Sequence, residues 1–203
     1  MQVRAEITDL QKDFLLAEVL ERTEDGRPSS KISVAMGLLK KRDRLEFALE
    51  KLTELGVHQV ILFEGDHSER SHIRADRLEG IVQSALKQSL GSWLPDLHIV
   101  DSLEEIFQIQ GEDPMEAIYL ADETMEDGVS TELSHLEGTS SVKDLGRIPH
   151  RLLIIGPEGG FSKRERAWMD ANLLDCKAIS LGKRRLRAET AAIAGLLSLQ
   201  LRA

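Results

Sequence analysis

Ile155-Gly156-Pro157-Glu158-Gly159-Gly160 and Leu181-Gly182-Lys183-Arg184-Arg185-Leu186-Arg187-Ala188-Glu189-Thr190 are the two stretches that decide the fold. Each directly follows a short apolar run, Leu152 to Ile155 and Ala178 to Leu181, that reads as a buried strand. Each then leads into a helix. Strand-to-helix turns in one sheet put backbone N–H groups and glycine-shaped space at the strands' carboxyl ends, where open α/β proteins bind ligands. Gly159-Gly160 alone serves equally well as chain punctuation, since glycine adopts unusual backbone angles without steric cost. The second turn is more telling. Lys183, Arg184, Arg185 and Arg187 put four cations into five residues, with an apolar helix immediately behind them. A solvated face explains the charges but not their position.

Working outward, strand and helix alternate from residue 31 onward. Ile32 to Met36 is an apolar run, and Asp43 to Leu55 reads as a helix with Leu45, Leu49, Leu52 and Leu55 on one face. Asp43 and Glu46 have capping-box spacing and Gly56 marks the stop. Val57 to Phe63 reads as a strand, Ala75 to Leu90 as a helix stopped by Gly91, and Leu97 to Val100 as a strand. Ser102 with Glu105 caps a short helix reaching about Ile109, and Glu116 to Ala121 is a further strand. Asp122 to Ile148 is polar and acidic, long for a loop in a compact domain. Ser162 and Glu165 open one helix, and Ala188 to Leu201 closes the chain as another. This alternation predicts a parallel, doubly wound α/β sheet with helices on both faces. Residues 1–30 read as two short strands, Val3 to Ile7 and Phe14 to Val19, too little to bury a core of their own.

Together the motifs resemble the SPOUT class of RNA methyltransferases, and most closely the RsmE family of small-subunit (16S) ribosomal RNA uridine-N3 methyltransferases. Four segments carry the likeness, in the family's order: Lys51 to Val57, Ser68 to Ser71, Gly156 to Ser162 and Leu181 to Ala191. The last two together are fairly specific, and the resemblance covers residues 31–203. The chain departs from the family pattern at Arg185, where an aliphatic residue is usual, and at Ala188, where Thr is common.

The resemblance implies a C-terminal deep trefoil knot in residues 31–203, which also forms a homodimer interface, and a partial PUA-like β segment in residues 1–30. It implies S-adenosylmethionine as cofactor, held by Leu120, Ala121, Gly156, Pro157, Glu158, Gly159, Gly160, Leu181, Gly182, Leu186 and Ala191. Each of these leucines could equally be ordinary core, and Glu158 could serve only to stabilise its turn. Uracil N3 becomes a strong nucleophile once its proton is lost, so the enzyme must stabilise the anion or supply a base. Arg187 is the candidate for the first role. Glu189 either accepts the proton, orients Arg187, contacts the opposite subunit or simply complements the helix dipole. Arg70, Lys183, Arg184 and Arg185 are the candidate contacts to phosphates or the splayed-out target base. Two alternatives remain: a SPOUT enzyme acting on another RNA nucleotide, and a catalytically silent RNA-binding dimer.

Composition sets the outer bounds. Hydrophobic residues make up 41% and charged residues 30% of the 203 residues, which are globular values. No apolar run reaches membrane-span length and the N-terminus lacks a signal-peptide layout, so a cytoplasmic protein is expected. Cys176 is the only cysteine, and the six histidines fall in no zinc-ligand spacing, so no metal is expected. The net charge of −9 opposes whole-surface nucleic-acid binding, but the six acids and no cations from Ala121 to Val142 concentrate much of it. The cations cluster instead at Lys40 to Arg44, at Arg70, Arg74 and Arg77, and at Lys183 to Arg187. Trp93 and Trp168 sit on or beside amphipathic helices, which favours packing over base stacking.

Overall fold

Leu152-Leu153-Ile154-Ile155 is apolar at every position because its strand is covered on both faces. A computed structural model describes residues 2–23, 31–68, 73–109, 115–121, 150–173 and 176–201. In chain order the elements are β1 (Gln2–Leu10), β2 (Leu15–Thr23), β3 (Lys31–Gly37), α1 (Arg42–Glu54), β4 (Gln59–Phe63), α2 (Ala75–Gln88) and β5 (Asp96–Val100). A 3₁₀ turn (Glu104–Gln108), β6 (Ala117–Ala121), β7 (His150–Ile155), α3 (Lys163–Asn172), β8 (Cys176–Ala178) and α4 (Ala188–Gln200) follow.

Six strands form one sheet in the order β5-β4-β3-β7-β6-β8, with every neighbouring pair parallel. The period-2 pleat splits the apolar strand residues between two cores. Leu153 and Ile155 of β7 join Val34, Met36 and Leu62 against α1, α2 and α4. Leu152 and Ile154 join Ala35, Ile61 and Phe63 against Leu103, Ile106, Phe161 and Met169 on the opposite face. Each fully buried side chain of this size contributes roughly 1.5–3 kcal/mol. The helices thus lie on both faces, as the alternation predicted.

Direction reverses at the middle. β3, β4 and β5 step outward one way, and β7, β6 and β8 lie on the other side of β3. After β8 the chain returns from the sheet edge, and α4 packs on β3, β7 and α1 at the centre. That return brings the second glycine corner back over the first. β1 and β2 form a separate antiparallel pair that leaves Val3, Ile7, Leu10, Phe14, Leu15 and Leu20 exposed. They match the two short strands read in residues 1–30, though both run longer.

Three local expectations are corrected. Asp43 and Glu46 make no capping box: Lys41 is the N-cap of α1 without a side-chain bond, and Glu46 instead takes two bonds from Arg77 of α2 at 2.6 and 2.9 Å. Gly91 does not supply the left-handed residue that ends α2. Leu90 does, at φ 55°, and Gly91 follows it, its N–H bonding the Leu86 carbonyl at 3.0 Å. The predicted strand Ala178 to Leu181 lies two to three residues earlier, at Cys176–Ala178. Its partner among the described residues is β6, and the Ile179 N–H bonds the Leu120 carbonyl at 3.0 Å just past the paired positions. The loop expected from Asp122 to Ile148 falls almost wholly outside the described residues.

Candidate active site

Both glycine corners open into one cavity of about 540 Å³ at the carboxyl ends of β6, β7 and β8. The first corner is a tight turn in which the Gly160 N–H bonds the Pro157 carbonyl at 2.9 Å. Gly160 has φ +69° and Gly182 has φ +107°, the left-handed region that side chains with a Cβ resist. A different constraint acts at Gly37, the last residue of β3. A Cβ there would lie 2.5 Å from the Pro157 nitrogen, so the first corner rests directly on this strand's backbone.

Most of the residues singled out in the sequence meet here. Ala121, Gly156, Pro157, Glu158, Gly160, Leu181, Gly182, Leu186 and Ala191 line the cavity, together with Lys183, Arg184, Arg185 and Arg187. Three candidates do not. Leu120 is 4% exposed and packs in the core beside Ile154, so its contribution stops at the backbone. Gly159 faces out of the cavity, beneath His67, whose Cβ lies 2.8 Å from where a Gly159 Cβ would be. Glu189 is 6% exposed and turns toward α1, where its Oε1 lies 3.6 Å from Arg44 Nε. Its Oε2 is buried without a hydrogen-bond partner among the described residues. Arg70 lies outside the described residues. Ile155, Phe161, Ala178, Ile179, Ser180 and Ala188 also line the cavity; the apolar ones went unforeseen because apolar wall residues look like core in a sequence.

Both corners carry charge at the cavity, Glu158 in the first and Lys183, Arg184, Arg185 and Arg187 in the second. Glu158 accepts the Lys40 backbone N–H at 2.9 Å and Arg44 Nη1 at 3.2 Å. Arg187, an exposed residue at the N-cap of α4, forms no ion pair among the described residues. On the far side of the first corner, the His67 Nδ1–H reaches the carbonyls of Gly159 and Gly160, both at 3.1 Å. Asp66 beside it is bonded by Arg164 (2.7 Å) and Ser162, which bring its carboxyl down to about 2. Arg164 also pairs with Glu104. Ser162 and Glu165 form the capping box read from the sequence. Burial pushes the Cys176 thiol up to about 11, which suits a structural residue and not a nucleophile. Trp93 stacks on His58 and bonds its carbonyl, and Trp168 packs against Phe107; neither lines the cavity.

Among the described residues there is no group of three or more potential metal ligands, and no helix is long and apolar enough to cross a membrane. The profile of the RNA methyltransferase domain matches residues 27–200, nearly the whole chain. The chain belongs to the RNA methyltransferase domain family. Within it, the chain is 28% identical over 202 residues to the "Ribosomal RNA small subunit methyltransferase E" of Bacillus subtilis, covering 96% of this chain and 75% of that one. A protein of the same name from Mesomycoplasma hyopneumoniae is 26% identical over 183 residues, covering 87% of this chain and 73% of its own. The crystal structure of the Neisseria gonorrhoeae protein of that name, bound to S-adenosyl methionine, superposes with a TM-score of 0.68 at 26% identity, over 98% of this chain and 77% of that one. The SPOUT-type α/β fold and the methyltransferase class expected from the motifs therefore stand.

Proposed function

We propose that this RNA methyltransferase transfers a methyl group from S-adenosylmethionine to N3 of a uridine in 16S ribosomal RNA of the small subunit. The observation that carries the proposal is the shared cavity of the two glycine corners. Its 540 Å³ suit a ligand of nucleoside size, and Gly160 and Gly182 let main-chain donors and acceptors approach closely. Bound there, S-adenosylmethionine supplies an electrophilic methyl carbon with its leaving group built in. Gly156, Gly160, Leu181, Gly182 and Leu186 hold the adenosyl group, and positioning does most of the work. Arg187, exposed at the cavity, stabilises the negative charge on the uracil ring once N3 has lost its proton. Lys183, Arg184 and Arg185 line the same opening and meet backbone phosphates, with Arg70 in the same role.

The relatives' names support the ribosomal substrate. Support for a homodimer comes from α4, which keeps Leu197 39% exposed while burying Ala192, Leu196 and Leu199, and is followed by Leu201, 88% exposed. A second copy covers that remaining apolar surface, and the return of α4 to the sheet centre fits the trefoil knot. Residues 1–30 serve as a small β appendage to the catalytic domain. Work on ribosomal RNA is cytoplasmic.

The test is a methyl-transfer assay on small subunits from a strain lacking this gene, followed by mapping of the modified base. One methylated uridine N3 is expected. Transfer to a cytidine, or to transfer RNA only, overturns the substrate. Absence of both transfer and cofactor binding leaves the silent RNA-binding dimer.

A further inference from the structure

We propose that Arg44 is a positioning residue for the cofactor: it ties the two glycine corners to α1, so the pocket assembles only while both of its carboxylate partners are held. This rests on the cofactor reading above and adds a residue that touches neither cofactor nor RNA. In the sequence Arg44 belongs to a run of cations that invites an RNA-binding role. In the structure it is turned inward, its side chain 25% exposed. Nη1 lies 3.2 Å from Glu158 Oε1 in the first corner, and Nε lies 3.6 Å from Glu189 Oε1 in the first turn of α4, directly after the second corner. Glu158 Oε2 is taken by the Lys40 N–H at 2.9 Å, so the first corner is fastened twice, once to the β3–α1 connection and once to α1 itself.

The geometry needs a fork. One guanidinium reaches two carboxylates through two different nitrogens, Nη1 and Nε, whereas a lysine ammonium is a single point charge. The Glu189 side chain is 7% exposed and its Oε2 has no hydrogen-bond partner among the described residues, so without Arg44 a nearly buried carboxylate would lose its counter-charge among them. Relief comes by swinging the start of α4 outward. That start carries Arg187, Ala188 and Ala191 into the cavity wall. A lost ion pair thus becomes a misshapen pocket.

The experiment measures S-adenosylmethionine affinity by calorimetry, and RNA affinity separately, for the full chain carrying Arg44→Lys, Arg44→Ala, Glu189→Gln or Arg44→Ala with Glu189→Gln. Arg44→Lys, which keeps charge and length, guards against simple unfolding and is checked by its melting curve. Arg44→Lys and Arg44→Ala should each weaken cofactor binding about tenfold or more, with RNA affinity within twofold of wild type. Adding Glu189→Gln to Arg44→Ala should restore part of the loss, because the uncompensated charge is gone. Cofactor affinity unchanged in a folded Arg44→Lys protein overturns the proposal, as does weaker RNA binding with cofactor binding intact, which makes Arg44 a phosphate contact. Equal losses in the double and single variants also overturn it. A wild-type chain that binds no S-adenosylmethionine sinks the enzymatic function and this proposal together; the outcomes above sink this proposal alone.

Discussion

Adding one methyl group at Gly37 should damage the cofactor pocket from behind. The Cβ of Gly37→Ala would sit 2.5 Å from the Pro157 nitrogen, 2.6 Å from its Cδ and 3.0 Å from its Cα. Ordinary contacts of this kind begin near 3.4 Å, so the corner must retreat by roughly 0.5–1 Å. No side chain can simply rotate away, because two of the three contacts are backbone atoms. The corner is also tethered by Glu158 to Lys40 and Arg44, and Pro157 itself is buried, so displacement loads the whole turn. Overpacking of this kind costs about 1–3 kcal/mol. Because Pro157, Glu158 and Gly160 line the cavity, the shift is also a misplacement of the cofactor, for which a displacement near 1 Å costs on the order of 10²-fold in rate. Urea denaturation reads the first effect; cofactor titration and single-turnover transfer read the second. A Gly37→Ala protein with wild-type cofactor affinity and turnover would refute the claim that β3 buttresses the corner.

Arg187→Ala should lower kcat by roughly 10²–10³-fold while leaving cofactor affinity and the dimer, measured by light scattering, unchanged; undiminished turnover would remove its assigned role. The acid limb of stability should depend on Asp66. Its folded pKa of about 2 lies below the ordinary 3.8, so its stabilisation is complete above pH 4 and fades as pH falls through 2. Asp66→Asn should therefore flatten the melting temperature between about pH 4 and 2, and an unchanged slope would show the Arg164 contact to be inconsequential. Ser162→Ala removes the N-cap of α3 and a donor to Asp66, and should cost about 1 kcal/mol in urea denaturation, with Ser162→Thr recovering most of it. A loss indistinguishable from zero would mean that Glu165 alone secures the helix start.

Local chemistry fixed a good deal of this protein before any coordinates. The all-apolar run at Leu152 to Ile155 read as a buried strand, the Ser162–Glu165 spacing read as a helix start, and Gly156 to Gly160 and Gly182 marked the two corners. These are properties of a few adjacent residues, and they survive intact in the fold. The same logic failed at Asp43–Glu46, because Arg77, more than thirty residues away, is a better partner for Glu46 than the helix's own amides. It missed Gly37 and Arg44 altogether. Nothing near them in the chain says that Pro157 will press on one and that two distant carboxylates will converge on the other. It left the role of Glu189 open, and only the fold turns its side chain toward α1. Sequence alone determined the strands, the corners and the cations of the site, since those are written in periodicity and residue type. Only tertiary structure decided which of them face a common cavity, because that depends on α4 returning from the sheet edge to pack over β3 and β7, and packing across the chain has no local signature.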